Sequence, residues 1–142
     1  MNWIDELGNI NYWGVTAAAF SSFVLGFVWY LWPVFGKPWA KSLGITKTEA
    51  DNTDGLGGVF LMSIVGGVAT AILLAVLMKA TGTDGLVEGA IFGALIGFVF
   101  RYLSSLLYHN GFARRPMQLT TIDGGYDIVQ LVIMGALIGF IG

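Results

Sequence analysis

The composition of this 142-residue chain is that of a protein embedded in lipid, because 56% of its residues are apolar and only 11% are charged. The mean hydropathy is +0.75, and a soluble domain of this size usually carries roughly twice that share of charge. A formal net charge of −2 argues against nucleic acid as a partner. The absence of cysteine excludes disulfides, thiolate metal ligands and cysteine nucleophiles.

Four apolar stretches, at about 12–31, 57–78, 86–108 and 123–141, occupy most of the chain. About 20 predominantly apolar residues cross the hydrocarbon core of a bilayer. In lipid each segment must satisfy its own backbone polar groups, so we expect helices. The runs are too long and too continuously apolar for barrel strands. The sequence therefore predicts an all-α integral membrane four-helix bundle, forming one membrane domain over residues 1–142 and surrounded by the lipid bilayer.

The segments outside the spans predict two short helices. Residues 1–11 alternate apolar and acidic groups without a basic residue, which favours a surface helix and argues against a cleavable signal. Thr46 and Glu49 have the spacing of a capping box, so a helix in the first loop should begin at Lys47. Pro33 is expected to end the first span.

Basic residues lie in two of the loops, at Lys37, Lys41 and Lys47 after the first span and at Arg114 and Arg115 after the third. The positive-inside rule places such loops in the cytoplasm. We therefore expect a multi-pass protein of the inner (cytoplasmic) membrane with both termini on the non-cytoplasmic side. Four of these cations, Lys37, Lys41, Arg114 and Arg115, also suit anionic lipid headgroups.

Small residues recur four apart in every span, a spacing that lets membrane helices approach closely. The third span carries Gly89, Gly93 and Gly97, and the fourth carries Gly135 and Gly139. This glycine zipper predicts a compact bundle or close self-association. The other two series are Gly14, Ala18, Ser22, Gly26 and Ser63, Gly67, Ala71, Ala75.

The glycine stripe of the third span continues into Arg101 and Ser105, and the fourth span reverses the pattern, with Asp123 and Asp127 before its glycines. In an antiparallel hairpin Arg101 comes within reach of Asp127. A charge inside the bilayer costs several kcal/mol unless it is paired or reaches the surface. Two interpretations stay open: an ion pair that fixes helix orientation, or a charged site in a cavity or ion pathway. Additional polar surface for such a pathway would come from Thr120, Thr121 and Gln130.

Catalytic and metal-binding patterns are not found in the sequence. His109 is the single histidine, no set of histidine and carboxylates has ligand spacing, and no Gly-rich phosphate loop follows a strand. We therefore expect no enzymatic activity and no cofactor.

Short motifs along nearly the whole chain resemble a family of small four-span bacterial membrane proteins catalogued as a domain of unknown function. The resemblance implies four transmembrane helices and transfers no catalytic residue. Its motifs are Asn11-Tyr12, Gly26, Trp29-Tyr30, Pro33, Phe35-Gly36-Lys37, Trp39, Glu88-Gly89, Arg115-Pro116, Gly125-Tyr126 and Met134-Gly135.

Three functional hypotheses follow from the sequence. The first is a homo-oligomeric protein or an accessory subunit of a larger membrane complex, because four small-residue series leave few polar groups for chemistry. The second is a small ion- or proton-coupled transporter or channel that uses Arg101 and Asp127 together with Asp123. The third is binding of anionic lipid headgroups by the basic loops.

Overall fold

A computed structural model describes residues 2–142, and within that range the chain is α-helical and contains no β-strand. Four helices are long and apolar enough to cross a membrane, which confirms the predicted all-α, four-span fold. These helices are α1 (Tyr12–Trp29), α4 (Gly57–Thr81), α5 (Leu86–Phe112) and α6 (Met117–Ile141). Two short helices, α2 (Lys37–Leu43) and α3 (Lys47–Asp51), lie between α1 and α4.

Local hydrogen bonds explain where the helices begin. The side chain of Asn11 accepts from the backbone N–H of Trp13 and caps α1. Thr46 and Glu49 form the reciprocal bonds of a capping box, as predicted, and α3 begins at Lys47. Near the N-terminus, Asp5–Gly8 form a short 3-10 helix.

The expectation that Pro33 ends the first span is wrong. Helix α1 ends at Trp29, and the chain passes through an extended Leu31 before Pro33 is reached. Pro33 instead occupies the first turn of a wide helical segment, Trp32–Gly36. Backbone N–H groups in the first turn of a helix have no acceptor within the helix. Proline is tolerated there because its missing N–H removes no hydrogen bond.

The connection between the third and fourth spans is shorter than the sequence indicated. Helix α5 continues to Phe112 and α6 begins at Met117, so residues 113–116 alone form the connection. The sequence indicated a longer loop here because Gln118, Thr120 and Thr121 are polar. Those side chains lie on α6 at an end of the bundle where polar groups face one another, so their polarity does not mark a loop.

The closest helix contact is between α5 and α6, where the predicted glycines meet. A Cβ added to Gly89 would overlap the carbonyl of Gly135, and one added to Gly93 would overlap the carbonyl of Leu131. Only glycine permits this backbone approach. The same interface contains Gly85, whose N–H donates to the carbonyl of Gly139 at 3.1 Å, and Gly97, which lies against Ile128.

Helix α1 packs against both α6 and α4, so the core lies around the middle of α1. Ala18, Ala71 and Met134 are fully buried there. Helix α4 contributes only its second half, because residues 57–66 are all exposed. It also makes little contact with α5. The first half of α4 is therefore largely uncovered by the rest of the described chain.

Candidate functional site

Arg101 and Asp127 form an ion pair between α5 and α6, with 2.7 Å between Nη2 and Oδ1. The side chain of Asp127 is 16% exposed and that of Arg101 is 46% exposed. Each charge is thus compensated by the other, which offsets the cost that an isolated charge would have inside a bilayer. Because Arg101 is only half covered, the pair is not sealed inside the helix interface.

Arg101 lies in a segment of α5 with a wider helical turn, Gly97–Tyr102. At its end the N–H of Leu103 donates to the carbonyl of Phe98, five residues earlier. A second wide segment, Leu106–Phe112, ends α5. Turns of this kind are rare and frequently occur at functional sites.

Asp123 lies one turn before Asp127 on α6 and is held by the end of α1. The hydroxyl of Tyr30 donates to Asp123 Oδ1 at 2.6 Å. Trp29 Nε1 donates to the neighbouring carbonyl of Ile122 at 3.1 Å, and the hydroxyl of Tyr126 donates to the carbonyl of Ser22 at 3.1 Å. These bonds fix the start of α6 against the end of α1.

A cavity of about 170 Å³ opens beside these carboxylates, at the end of the bundle where residues 113–116 join α5 to α6. We call it the polar cavity. Thr120, Asp123 and Asp127 share one face of α6 because they are three and four residues apart. The polar residues that line the cavity are Ser105, His109, Arg115, Thr120, Asp123 and Asp127.

Thr120 is 4% exposed, and its Oγ1 has no hydrogen-bond partner among the described residues. Hydroxyls elsewhere on the spans donate to a carbonyl one turn earlier, as Thr70 does to Gly66 at 2.7 Å and Ser22 to Ala19 at 2.7 Å. A buried hydroxyl without a partner is unfavourable, and it commonly marks a place where another molecule supplies the bond. Thr120 therefore singles out the polar cavity.

The connection 113–116 holds Arg115 at the exposed mouth of the polar cavity. The N–H of Arg115 donates to the carbonyl of His109 at 2.8 Å, and Asn110 Nδ2 donates to the carbonyl of Arg115 at 2.9 Å. Arg114 adopts a φ of 53° in the same turn, in the left-handed region that non-glycine residues seldom occupy. Arg115 lines the cavity, whereas the exposed Arg114 does not.

A second cavity, of about 290 Å³, lies at the opposite end of α6, beside Ile138 and Gly139. It is bounded by Asn11 and by the turn after α4, including Asp84. Between the two cavities α6 is packed, and its residue Met134 is fully buried. A closed core therefore separates these two cavities.

The structure brings together only some of the residues that the sequence singled out. Asp123 and Asp127 both line the polar cavity, and Arg101 is bonded to Asp127 without lining the cavity itself, whereas the glycines form the interface farther along the same helices. Thr121 is exposed and does not line the cavity. Lys37 and Lys41 are exposed on α2, which Ser42 joins to α6 through a 3.1 Å bond to Gln118. Headgroup binding by these lysines with Arg114 and Arg115 stays a prediction.

Two contributors to the site were not anticipated. Hydropathy and residue spacing assign no role in the site to Tyr30, and Arg115 looked like a residue of a basic loop. A usable signal existed on α5, because Ser105 and His109 continue the spacing of four residues from Arg101. No comparable signal in the sequence links Tyr30 to Asp123, which lies 93 residues away.

The sequence of the chain matches a known protein family. Residues 13–139 match the family described as "Protein of unknown function (DUF1761)". The chain belongs to the DUF1761 family. This confirms the resemblance to a four-span family of unknown function, and the match includes every residue named at the polar cavity. No curated protein and no solved structure matches the chain.

Proposed function

We propose that this DUF1761 protein is a multi-pass integral membrane protein without enzymatic activity that acts as a small ion- or proton-coupled transporter. The site is the pair Arg101–Asp127 together with Asp123. The observation that carries the proposal is the position of Asp127, which is paired with Arg101 and also lines the polar cavity. Ionisable residues that face a cavity between membrane helices commonly belong to ion or proton pathways.

The alternative role of the pair, a dry lock between two helices, is supported less well. A lock requires both partners to be enclosed, yet half of Arg101 is exposed and Asp127 is accessible from the cavity. The close approach of α5 and α6 is already secured by the glycines at Gly89 and Gly135. The ion pair is therefore not needed to hold the two helices in contact.

The two cavities at opposite ends of α6 also favour transport. In such an arrangement a solute enters from one side, and the packed segment around Leu131 and Met134 prevents a continuous leak. Transport requires this barrier to open while the polar cavity closes. The wide turns of α5 lie beside the polar cavity and provide a local point of adjustment.

For orientation we propose that the polar cavity faces the cytoplasm, that both termini lie on the other side, and that the membrane is the inner membrane. The support is the distribution of basic residues, with Arg114 and Arg115 at the mouth of the cavity and Lys37 and Lys41 on α2. Cytoplasmic loops carry an excess of such residues. The loop after α4 carries none beyond Lys79 at the helix end.

The proposal is tested by ion flux through purified protein in liposomes, followed with a pH-sensitive dye enclosed in the vesicles under an imposed proton gradient. Arg101→Gln should abolish protein-dependent flux while the variant keeps its helical circular dichroism spectrum. Arg114→Gln is the matched control, because Arg114 is exposed and outside the cavity. Equal flux through both variants, or none above empty liposomes for the original protein, would overturn the proposal.

A second candidate role, as a homo-oligomer or a subunit of a larger membrane complex, is favoured by the exposed first half of α4. Gly58 and Gly66 have open space where their Cβ atoms would be, unlike the glycines between α5 and α6. Such positions suit a close contact with another helix. Cysteine placed at Met62, which is exposed on this segment, should form a disulfide cross-link between chains in native membranes. A strictly monomeric protein that is purified alone would argue against this role.

A further inference from the structure

We infer that the polar cavity binds a small zwitterion, such as a short amino acid, with its ammonium group towards Asp123 and its carboxylate towards Arg115. The inference deepens the proposed transport function by naming a solute class, and it rests on that function only for its physiological meaning. Binding itself can be measured on protein that transports nothing. The inference stands on the charges, the unpartnered hydroxyl and the size of the cavity.

The charges at the cavity leave one of each sign uncompensated. Arg101 is paired with Asp127, while Arg115 and Asp123 line the same space without forming an ion pair with each other. The ion pairs of residues 2–142 are Arg101–Asp127 and Lys47–Asp51. Tyr30 donates a neutral hydroxyl to Asp123 and leaves its charge in place. Two separated opposite charges are the complement of a zwitterion.

A single ion would match this arrangement less well. A cation near Asp123 would add to the positive charges of Arg101 and Arg115, and an anion near Arg115 would add to those of Asp123 and Asp127. His109 supplies a further titratable group on the α5 side of the cavity. Like charges brought close together repel one another. A ligand that carries both signs meets neither repulsion.

The hydroxyl of Thr120 is an independent indication that something binds here. Thr120 lines the cavity, and its Oγ1 is buried and has no partner among the described residues. Thr120 lies one turn from Asp123, so a ligand on that carboxylate also comes within reach of the hydroxyl. An ammonium group has three donors and can satisfy both acceptors at once.

The size of the cavity limits the ligand. Its volume of about 170 Å³ is close to that of an engineered cavity of ~150 Å³ known to hold benzene, a molecule of about six heavy atoms. Glycine is slightly smaller than this, alanine is of the same size and serine is slightly larger. Amino acids with large aromatic or aliphatic side chains are too big for the cavity.

Binding of radiolabelled L-alanine to detergent-purified protein tests the inference, with propionate and ethylamine as unlabelled competitors that each carry a single charge. Saturable binding is expected, with competition by glycine and little by either single-charge compound. Arg115→Gln and Asp123→Asn should each weaken binding by about tenfold or more, because each removes a charged partner. Thr120→Val should weaken binding about fivefold. Arg114→Gln should bind alanine as the original protein does.

Arg115→Gln decides the inference if Asp123→Asn unfolds, since Arg115 is an exposed residue of the connection. Arg115→Lys should keep part of the affinity by keeping the charge. Absence of saturable binding by folded protein, or equally strong binding of ethylamine or propionate, would overturn the inference. Alanine binding without any ion flux, measured both with and without alanine in the assay, would refute the transport proposal alone. Flux that depends on Arg101 without alanine binding would refute the zwitterion alone.

Discussion

The hydroxyl of Tyr30 at the end of α1 and the carboxylate of Asp123 on α6 are joined by a 2.6 Å hydrogen bond across 93 residues of sequence. This bond holds one of the two cavity carboxylates in a fixed orientation. The adjacent bond from Trp29 to the carbonyl of Ile122 reinforces the same contact. The end of the first span is thus part of the candidate site, although it does not line the cavity.

Tyr30→Phe should lower the free energy of unfolding by about 1.5–3 kcal/mol, the range for hydrogen bonds to charged groups. The phenyl ring keeps the apolar contacts, so the decrease in the free energy of unfolding measures the contribution of the hydroxyl. The measurement is reversible unfolding in detergent, followed by circular dichroism. Tyr108→Phe is the control. Tyr108 is exposed, so this substitution should leave the free energy of unfolding unchanged. Equal stability of the two variants would show that the bond to Asp123 contributes nothing.

Gly93→Ala should destabilise the protein by about 3 kcal/mol, the upper part of the usual range for overpacking. The added methyl overlaps the backbone carbonyl of Leu131, and a backbone cannot move aside as a side chain can. Gly66→Ala on α4 is the matched control, since its methyl would enter open space. Thermal unfolding of both variants in the same detergent compares them directly. A Gly93→Ala protein as stable as the control would contradict the observed helix contact.

Arg101→Gln and Asp127→Asn should each lower stability, and the double variant should lose less than the sum of the two. We expect a coupling energy of about 1–2 kcal/mol, between the values for exposed and buried ion pairs, because one partner is half exposed. Unfolding free energies of the four proteins complete the cycle. Strictly additive losses would mean that the 2.7 Å contact has no energetic weight.

Membrane orientation can be read directly, because the chain has no cysteine of its own. Single cysteines at Thr83, in the turn after α4, and at Arg114, in the connection before α6, should label from opposite sides of intact cells. We expect a membrane-impermeant maleimide to reach the first from outside and the second only after permeabilisation. The reverse pattern would invert the proposed topology.

The four spans could be predicted because continuous apolar segments of helical length have few alternatives in lipid. The contact between α5 and α6 could also be anticipated, because Gly89, Gly93 and Gly135 carry no side chain and leave the backbone as the contact surface. The starting point of α6 was placed too late. In a membrane protein, a polar residue such as Thr120 can indicate either a loop or a polar space between helices.

The remainder of the site depends on contacts that a single sequence does not record. The bond from Tyr30 to Asp123 requires knowledge of which helix ends adjoin. Arg115 lines the cavity because its backbone is held by His109 and Asn110 in a turn that includes the left-handed Arg114. Neither contact follows from hydropathy or residue spacing. Hydropathy and spacing each describe one segment at a time, and they do not say which segments adjoin.

The short connection between α5 and α6 also bears on how the protein is assembled. The closest helix contact of the bundle joins two consecutive spans through residues 113–116 alone, so little chain entropy is lost when that hairpin closes. The contacts of α1 with α6 span most of the sequence and close a far longer loop. We therefore expect the α5–α6 hairpin to form early when the protein folds. A first span that has already been inserted gains its main partner only when this hairpin has been synthesised.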